Sequence, residues 1–171
     1  MNAGLARLRA EQNEARKEAK RQAAEAVGEL SDRDLFMAGV ALYWAEGQKS
    51  KSYQRRECVI FVNSDPGVIQ VYLAWLDLLD VPRDSLRFRV MIHQTADVAA
   101  AEQYWADLVG IDPASLQPTT LKRHNPKTVR KNTGNDYHGC LVIRVLQGAD
   151  LYCRIEGWWG GMVARTQARL R

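Results

Sequence analysis

A single carboxylate closes the apolar stretch GVALYWAEG, Gly39–Gly47, and its position raises the first question about chemistry. Glu46 is followed by a glycine and, two positions after that glycine, by Lys49. A carboxylate at the C-terminal end of a helix is electrostatically unfavourable unless a cation lies beside it. A lysine there can neutralise a phosphate or simply solvate the turn. The pattern therefore leaves two interpretations open for Glu46, a cation-binding acid and an ordinary exposed helix end before a terminating glycine.

Basic residues are concentrated in two segments that could contact a polyanion. Residues 47–57 contain four lysines and arginines against one acidic residue, and residues 115–146 contain six against one. The whole chain carries a net charge of +4, with a sequence pI near 9.1. Such a charge permits a nucleic-acid partner without requiring one, since many basic surfaces are only solvated.

Length and composition bound the class of protein. The chain of 171 residues fits one domain, or one domain with an appendage. No apolar run approaches the length of a membrane-spanning helix, and the charged N-terminus has no apolar signal core, so we expect a soluble, cytoplasmic protein without a membrane partner. The three cysteines, Cys58, Cys140 and Cys153, are isolated in apolar settings. This spacing predicts reduced core residues and excludes a disulfide framework or a zinc site.

Residues 1–30 are predicted to form a charged helical arm, separate from a domain over 31–171. The arm has six basic and five acidic side chains and is rich in alanine, glutamate, lysine and arginine, as solvated helices are. Its apolar side is mostly alanine. Because such a helix is too weak to fold alone, it must dock on a partner or fray.

The remaining sequence alternates between helical and strand patterns. Ser31 and Asp34 form a capping box that begins a helix over 32–46, which Gly47 ends. Further helices are predicted after Asp65, over 97–110 and over 149–171. Strands are predicted over 56–64 and 85–93, and a hairpin over 115–125 and 137–147, joined by a long polar loop. The order of elements predicts an α+β fold with helices on one face of a mainly antiparallel sheet and arginines on the other.

One side of the helix over 32–46 carries small residues. Ala38, Ala41 and Ala45 recur at helical spacing, so they form a narrow stripe. Small side chains let two helix backbones approach closely. The helix is therefore expected to pack against another helix through this stripe.

These segments resemble the LAGLIDADG homing-endonuclease superfamily, in its small single-motif bacterial and archaeal form. GVALYWAEG resembles the motif itself, and the likeness continues in VNSDPGVIQVYLAWL and in YW followed by GI, over roughly residues 31–160. In the motif, a helix packs through small residues against a symmetry mate and ends on an acid and a glycine. Two positions depart from it, because Trp44 replaces an earlier acid and Ala41 replaces an internal glycine.

The resemblance implies a LAGLIDADG-type fold of helices and antiparallel strands, and a homodimer whose interface contains Ala38, Ala41 and Ala45. It implies that Glu46 binds Mg²⁺ and, with Lys49, takes part in catalysis, and that a saddle-shaped sheet lies over double-stranded DNA. The residues expected to contact phosphates or base edges are Lys51, Arg55, Arg56, Arg87, Arg89, Lys122, Arg123, Lys127, Arg130 and Lys131.

Alternative functions remain open on the sequence alone. The homodimer is either a Mg²⁺-dependent endonuclease that cuts both DNA strands or a catalytically inactive transcription regulator that binds DNA on the same surface. A third alternative is a protein-interaction module whose N-terminal helix recruits a partner. Dependence of affinity on salt separates the third alternative from the other two, because phosphate contacts make DNA binding fall steeply as salt rises.

Overall fold

A computed structural model describes residues 3–51, 53, 55–123 and 137–170. Within these ranges the chain forms five α-helices and four strands, which confirms the predicted α+β class. Short 3-10 helices at Arg83–Ser85 and Pro113–Ser115 precede the second and third strands. The helices are α1 Ala3–Val27, α2 Asp32–Glu46, α3 Pro66–Leu78, α4 Val98–Val109 and α5 Ala149–Arg169, and the strands are β1 Ile60–Asn63, β2 Leu86–His93, β3 Gln117–Lys122 and β4 Cys140–Val145.

The chain divides into two compact units, the first ending at Asp34 and the second beginning at Leu35. The first unit consists of α1, the following turn and the start of α2. Every residue of α1 whose side chain is described is exposed. Within the described ranges, no helix is both long enough and apolar enough to span a bilayer.

The sheet has the strand order β1-β4-β2-β3. β4 lies between β1 and β2 and is antiparallel to both, whereas β3 lies at the edge and is parallel to β2. The predicted hairpin of β3 and β4 is therefore wrong, because these strands are separated by β2. A parallel pair needs a crossover of a dozen or more residues, and α4 supplies it between β2 and β3.

Local capping signals place the helix ends where the sequence predicts them. The hydroxyl of Ser31 accepts a hydrogen bond from the Asp34 backbone N–H (3.2 Å), and the Asp34 carboxylate accepts one from the Ser31 backbone N–H (3.1 Å). The Asp65 carboxylate caps α3 by accepting from two backbone N–H groups of the first turn, and Pro66 follows it. Gly110 ends α4 in the left-handed conformation (φ 72°) that glycine adopts without strain. The predicted strand over 56–64 is shorter, because only Ile60–Asn63 forms β1.

The hydrophobic core of the second unit lies between α2–α5 and the inward face of the sheet. Leu86, Phe88, Val90 and Ile92 alternate into it along β2, as the sequence predicts. From the helices the core receives the large buried side chains Tyr43, Tyr72, Trp75, Trp105 and Tyr152. The cysteine prediction is only partly right, since all three are free thiols but none is a core residue: Cys58 and Cys140 are half-buried and Cys153 is exposed.

Candidate nucleic-acid interface

The sheet face opposite the core carries cations on adjacent strands. Arg87 of β2 lies directly across from Arg144 of β4, and Arg89 lies two residues further along the same face of β2. On the other side of β2, Arg89 is paired with Gln117 of β3. Because residues two apart on a strand share a face, these side chains point away from the helices. We call this surface the open sheet face.

A shallow groove of about 230 Å³ runs across the open sheet face. Its lining residues all come from the strands or lie directly after β4. Val142 lines the groove and is only 3% exposed. The residues that line the groove are Ile60, Arg87, Arg89, Gln117, Val142, Arg144 and Leu146.

The positive charge continues along the strands beyond the groove. Lys122 is paired with His93 at the end of β2, and Arg123 follows it, exposed. None of the described strand residues that share this face is acidic. They are Ile60 and Val62 of β1, Arg87, Arg89, Met91 and His93 of β2, Gln117, Thr120 and Lys122 of β3, and Cys140, Val142 and Arg144 of β4.

The arginines of this face differ in how firmly they are held. The Nη1 of Arg87 donates to the backbone carbonyls of Asp84 (2.7 Å) and Leu86 (2.9 Å), which fixes its guanidinium beside its own strand. Arg89 and Arg144 are exposed, and their guanidinium groups make no hydrogen bond or ion pair with the described residues. Their donors can therefore turn toward a ligand.

Arg144 was not among the predicted site residues, although the sequence contains a signal for it. In LVIRV, Leu141, Ile143 and Val145 alternate inward, so Val142 and Arg144 must point to the other face. The sequence does not reveal which strand lies beside β4, because that depends on pairing between distant segments. The cluster with Arg87 and Arg89 is consequently visible only in the fold.

The segment between α2 and β1 places its basic residues elsewhere. The Arg55 guanidinium donates to the Glu57 carboxylate (2.7 Å), and this contact raises the pKa of the arginine. The backbone of Ser50 donates to the Tyr152 hydroxyl of α5 (2.7 Å), which holds the segment against that helix. Lys51 and Arg56 are exposed. None of the three basic residues Lys51, Arg55 and Arg56 lines the groove.

A lysine caps the C-terminal end of α2, close in sequence to Glu46. The Lys49 ammonium donates to the backbone carbonyls of Trp44 (2.6 Å) and Gly47 (3.2 Å), so a cation does lie at the negative end of the helix dipole. Lys49 is thus occupied as a helix cap. The Glu46 carboxylate is exposed and makes no hydrogen bond or ion pair with the described residues.

Position 47, directly after α2, requires a glycine because a larger side chain would not fit. A Cβ at this position would lie 2.6 Å from the Tyr43 ring. The buried Tyr43 hydroxyl donates to the Gln48 carbonyl (2.9 Å), and burial raises the pKa of this phenol, so it stays protonated as a donor. Together these contacts turn the chain sharply out of α2.

The two sides of α2 have different roles. Gly39, Val40 and Tyr43 are buried, whereas the stripe of Ala38, Ala41 and Ala45 is exposed. The stripe therefore makes no close helix contact within the described unit. Trp44 replaces the earlier acid of the motif. Its ring stacks on Trp159 of α5, with the ring centroids 5.4 Å apart.

Three of the predicted DNA contacts, Lys127, Arg130 and Lys131, lie outside the described residues.

The predicted Mg²⁺ ion has no cluster of protein ligands in the described part of the chain. In the described ranges, no three His, Cys, Asp or Glu side chains form a group that could hold a metal ion. Glu46 belongs to no such group in the described ranges, so a Mg²⁺ ion held by Glu46 would take further ligands from water, from DNA phosphates or from a second chain.

No known protein family matches the chain, and neither a curated protein nor a solved structure is similar to it. The likeness to LAGLIDADG proteins thus depends on the motif and on the segments that follow it.

Proposed function

We propose that the protein binds double-stranded DNA on the open sheet face, in the manner of a LAGLIDADG-type DNA-binding domain. The observation that carries the proposal is the charge of this face. Four cations, Arg87, Arg89, Arg144 and Lys122, lie on three adjacent strands without an acidic residue among their described neighbours on the face. A surface of one sign attracts a polyanion and releases its counterions on binding.

The side chains of the groove suit both kinds of DNA contact. Arginine donates bidentate hydrogen bonds to phosphates and to the O6 and N7 atoms of guanine, and glutamine forms a similar pair with adenine. Arg89, Arg144 and Gln117 are exposed on this face. The fixed guanidinium of Arg87 is better suited to a phosphate, because a contact to the backbone needs position but not adaptability.

A homodimer is part of the proposal. The exposed alanine stripe of α2 offers a second copy a surface on which two backbones can approach closely, as in the LAGLIDADG motif. A two-fold axis there would give the dimer two open sheet faces, and DNA-binding dimers use such symmetry to read two half-sites.

Cleavage of the DNA is not part of the proposal. Among the described residues of one chain, Glu46 belongs to no group of three metal-ligating side chains, so a Mg²⁺ ion there would need ligands from outside that chain. Lys49 is engaged in capping the helix, and Trp44 replaces the motif's earlier acid. These features favour the regulator, which binds without cutting, over the endonuclease.

The test is a comparison of two variants with the same reduction in charge. The sheet variant combines Arg89→Gln, Arg144→Gln and Lys122→Gln, and the control variant combines Lys20→Gln, Arg165→Gln and Arg169→Gln on α1 and α5. Both lower the net charge by three. We expect only the sheet variant to bind a duplex library more weakly and to flatten the salt dependence, by about 0.9 in the log–log slope for each phosphate that the variant no longer neutralises.

The measurement is fluorescence anisotropy of labelled duplexes over a range of salt concentrations, with thermal unfolding as a check on folding. Equal weakening in the two variants would indicate a general charge effect and would contradict a specific surface. An unchanged slope in a folded sheet variant would move the DNA contact to another part of the chain.

A further inference from the structure

One side of α1 carries leucine, alanine and glutamine at a regular spacing, and these residues belong to neither the core nor the open sheet face. Positions spaced alternately three and four residues apart carry the two leucines of the helix, three alanines and two glutamines. This is the spacing at which side chains of two supercoiled helices meet. We call the set the arm stripe, and its members are Leu5, Leu8, Gln12, Ala15, Ala19, Gln22 and Ala26. Leu5 and Leu8 are 53% and 51% exposed, so the described chain leaves them without cover.

The two sides of the arm stripe differ in charge. One side carries Glu11, Glu18 and Glu25, each directly before a residue of the stripe. The other side carries Arg9 and Arg16, each directly after one. These are the positions that flank a coiled-coil seam and select the partner and its orientation.

Ion pairs inside α1 leave the basic side unpaired. Arg7 pairs with Glu11 (3.0 Å), Lys17 with Glu14 (2.7 Å), and Arg21 with Glu18 (2.6 Å) and Glu25 (2.5 Å). Among the described residues, Arg9 and Arg16 make no ion pair. Both cations are therefore available to a second helix on the same side.

We infer that α1 pairs with α1 of a second copy of this chain as a parallel two-stranded coiled coil. In the parallel arrangement the acidic side of each helix faces the basic side of the other, and Glu11 lies opposite Arg16 of the partner subunit. In the antiparallel arrangement acidic sides would face each other and arginines would face arginines. Charge complementarity thus favours α1 of a second copy as the partner helix, and it favours the parallel orientation of the two helices.

The composition of the arm stripe limits the strength of the pair. Alanines bury little area, and the polar Gln12 and Gln22 set the register at a cost in stability. The contact is therefore expected to be weak for an isolated helix. It is tested in the full chain, where any other contact between the copies raises the effective concentration of the arms.

The first experiment reverses and restores one charge pair. Glu11→Arg should weaken self-association of the full chain by about fivefold, since it turns two attractive contacts per dimer into repulsive ones. Adding Arg16→Glu should restore the wild-type dissociation constant. Residues 11 and 16 are five positions apart and do not meet within one helix, so restoration requires a second chain. Sedimentation equilibrium measures the constant, and a monomeric wild type or a double variant as weak as the single would overturn the inference.

The second experiment locates the contact on the arm and separates it from a dimer formed through α2. In a chain whose three cysteines are replaced by serine, Gln22→Cys places a thiol on the arm stripe, and Lys17→Cys places one on the outer side of α1. In a parallel pair only the position-22 thiols meet, so we expect a disulfide-linked dimer in glutathione buffer for Gln22→Cys alone. Equal crosslinking at the two positions, or none at position 22, would refute the coiled coil even if DNA binding and a dimer through α2 were both demonstrated.

Discussion

At the scale of single residues, two helical glycines have opposite environments. A Cβ on Gly39 would lie 2.0 Å from the Trp75 ring, whereas a Cβ on Gly160 of α5 would meet nothing within 4 Å. Gly39 thus permits α2 to touch the indole of α3 directly. Gly160 costs helix stability and provides no close approach within the described chain.

We predict that alanine substitution changes stability in opposite directions at these two positions. Gly160→Ala should stabilise the protein by about 0.5–1 kcal/mol, because alanine is the better helix former and the space is open. Gly39→Ala should destabilise it by about 1–3 kcal/mol or more, because overpacking against a buried ring outweighs the same gain in propensity. Urea unfolding of both variants measures the difference. A stabilised Gly39→Ala protein would show that α2 and α3 do not pack as described.

Residue-scale interpretation from the sequence came closest where the partner was local. The helix dipole favours a cation at the end of α2, and Lys49, three positions after Glu46, donates to the Trp44 carbonyl there, although capping was not one of the two interpretations of this lysine. The role of Trp44 was not predictable, because its stacking partner Trp159 is distant in the chain. The exposure of Cys153 was missed for a similar reason, since its apolar neighbours in sequence lie on another side of α5.

At the scale of elements, the start of α2 depends on a capping box that is open to a pH test. Hydrogen bonds from the Ser31 hydroxyl and backbone N–H lower the pKa of the Asp34 carboxyl below its ordinary value. A carboxyl with a depressed pKa in the folded state contributes stability above its unfolded pKa, and this contribution is lost as pH falls through the folded pKa.

We therefore expect Ser31→Ala to destabilise the protein by about 1 kcal/mol at neutral pH and by less in acid. The difference from wild type should shrink as pH falls through the Asp34 pKa, which in the folded wild type lies below its ordinary value. Chemical unfolding at several pH values provides the measurement, and an NMR titration should show the Asp34 pKa rising in the variant. A cost independent of pH, with an unshifted Asp34 titration, would contradict the role of the carboxylate.

Most element boundaries follow from short-range signals, which explains why the sequence predicts them. Three such signals each involve only residues that are close in sequence. They are the cap of α3 by Asp65 and Pro66, the end of α4 at Gly110, and the alternation along β2. The strand over 56–64 was overestimated because alternation alone does not show where a pairing partner ends. Residues 60–63 pair with β4, whereas the Arg56 backbone N–H donates to the Ser50 hydroxyl and the Cys58 carbonyl accepts from the Tyr43 hydroxyl of α2.

At the scale of the whole molecule, the sequence failed on strand pairing. β3 and β4 are consecutive in the chain and joined by a polar segment, a pattern that favours a hairpin. Yet α4 between β2 and β3 favours a parallel crossover, and this brings β3 beside β2. The open sheet face depends on the outcome, because Arg87, Arg89 and Arg144 form one cluster only when β4 lies next to β2.

The strand order can be tested with the native cysteine of β4. Met91 of β2 is paired with Cys140 on one side and with Thr120 of β3 on the other. Paired Cα atoms of antiparallel strands lie about 4.5–5.5 Å apart, within the range of a disulfide. Positions 120 and 140 are two strand spacings apart, about 9.6 Å, which is beyond it.

With Cys58 and Cys153 replaced by serine, we predict that Met91→Cys forms an intramolecular disulfide with Cys140 under mild oxidation, and that Thr120→Cys does not. Peptide mapping by mass spectrometry identifies the link, and dilution distinguishes it from a bond between chains. A hairpin would instead make β3 the direct neighbour of β4, which brings position 120 within one strand spacing of β4. A disulfide from position 120 to Cys140, without one from position 91, would therefore reject the strand order β1-β4-β2-β3, and with it the arginine cluster on which the proposed DNA contact depends.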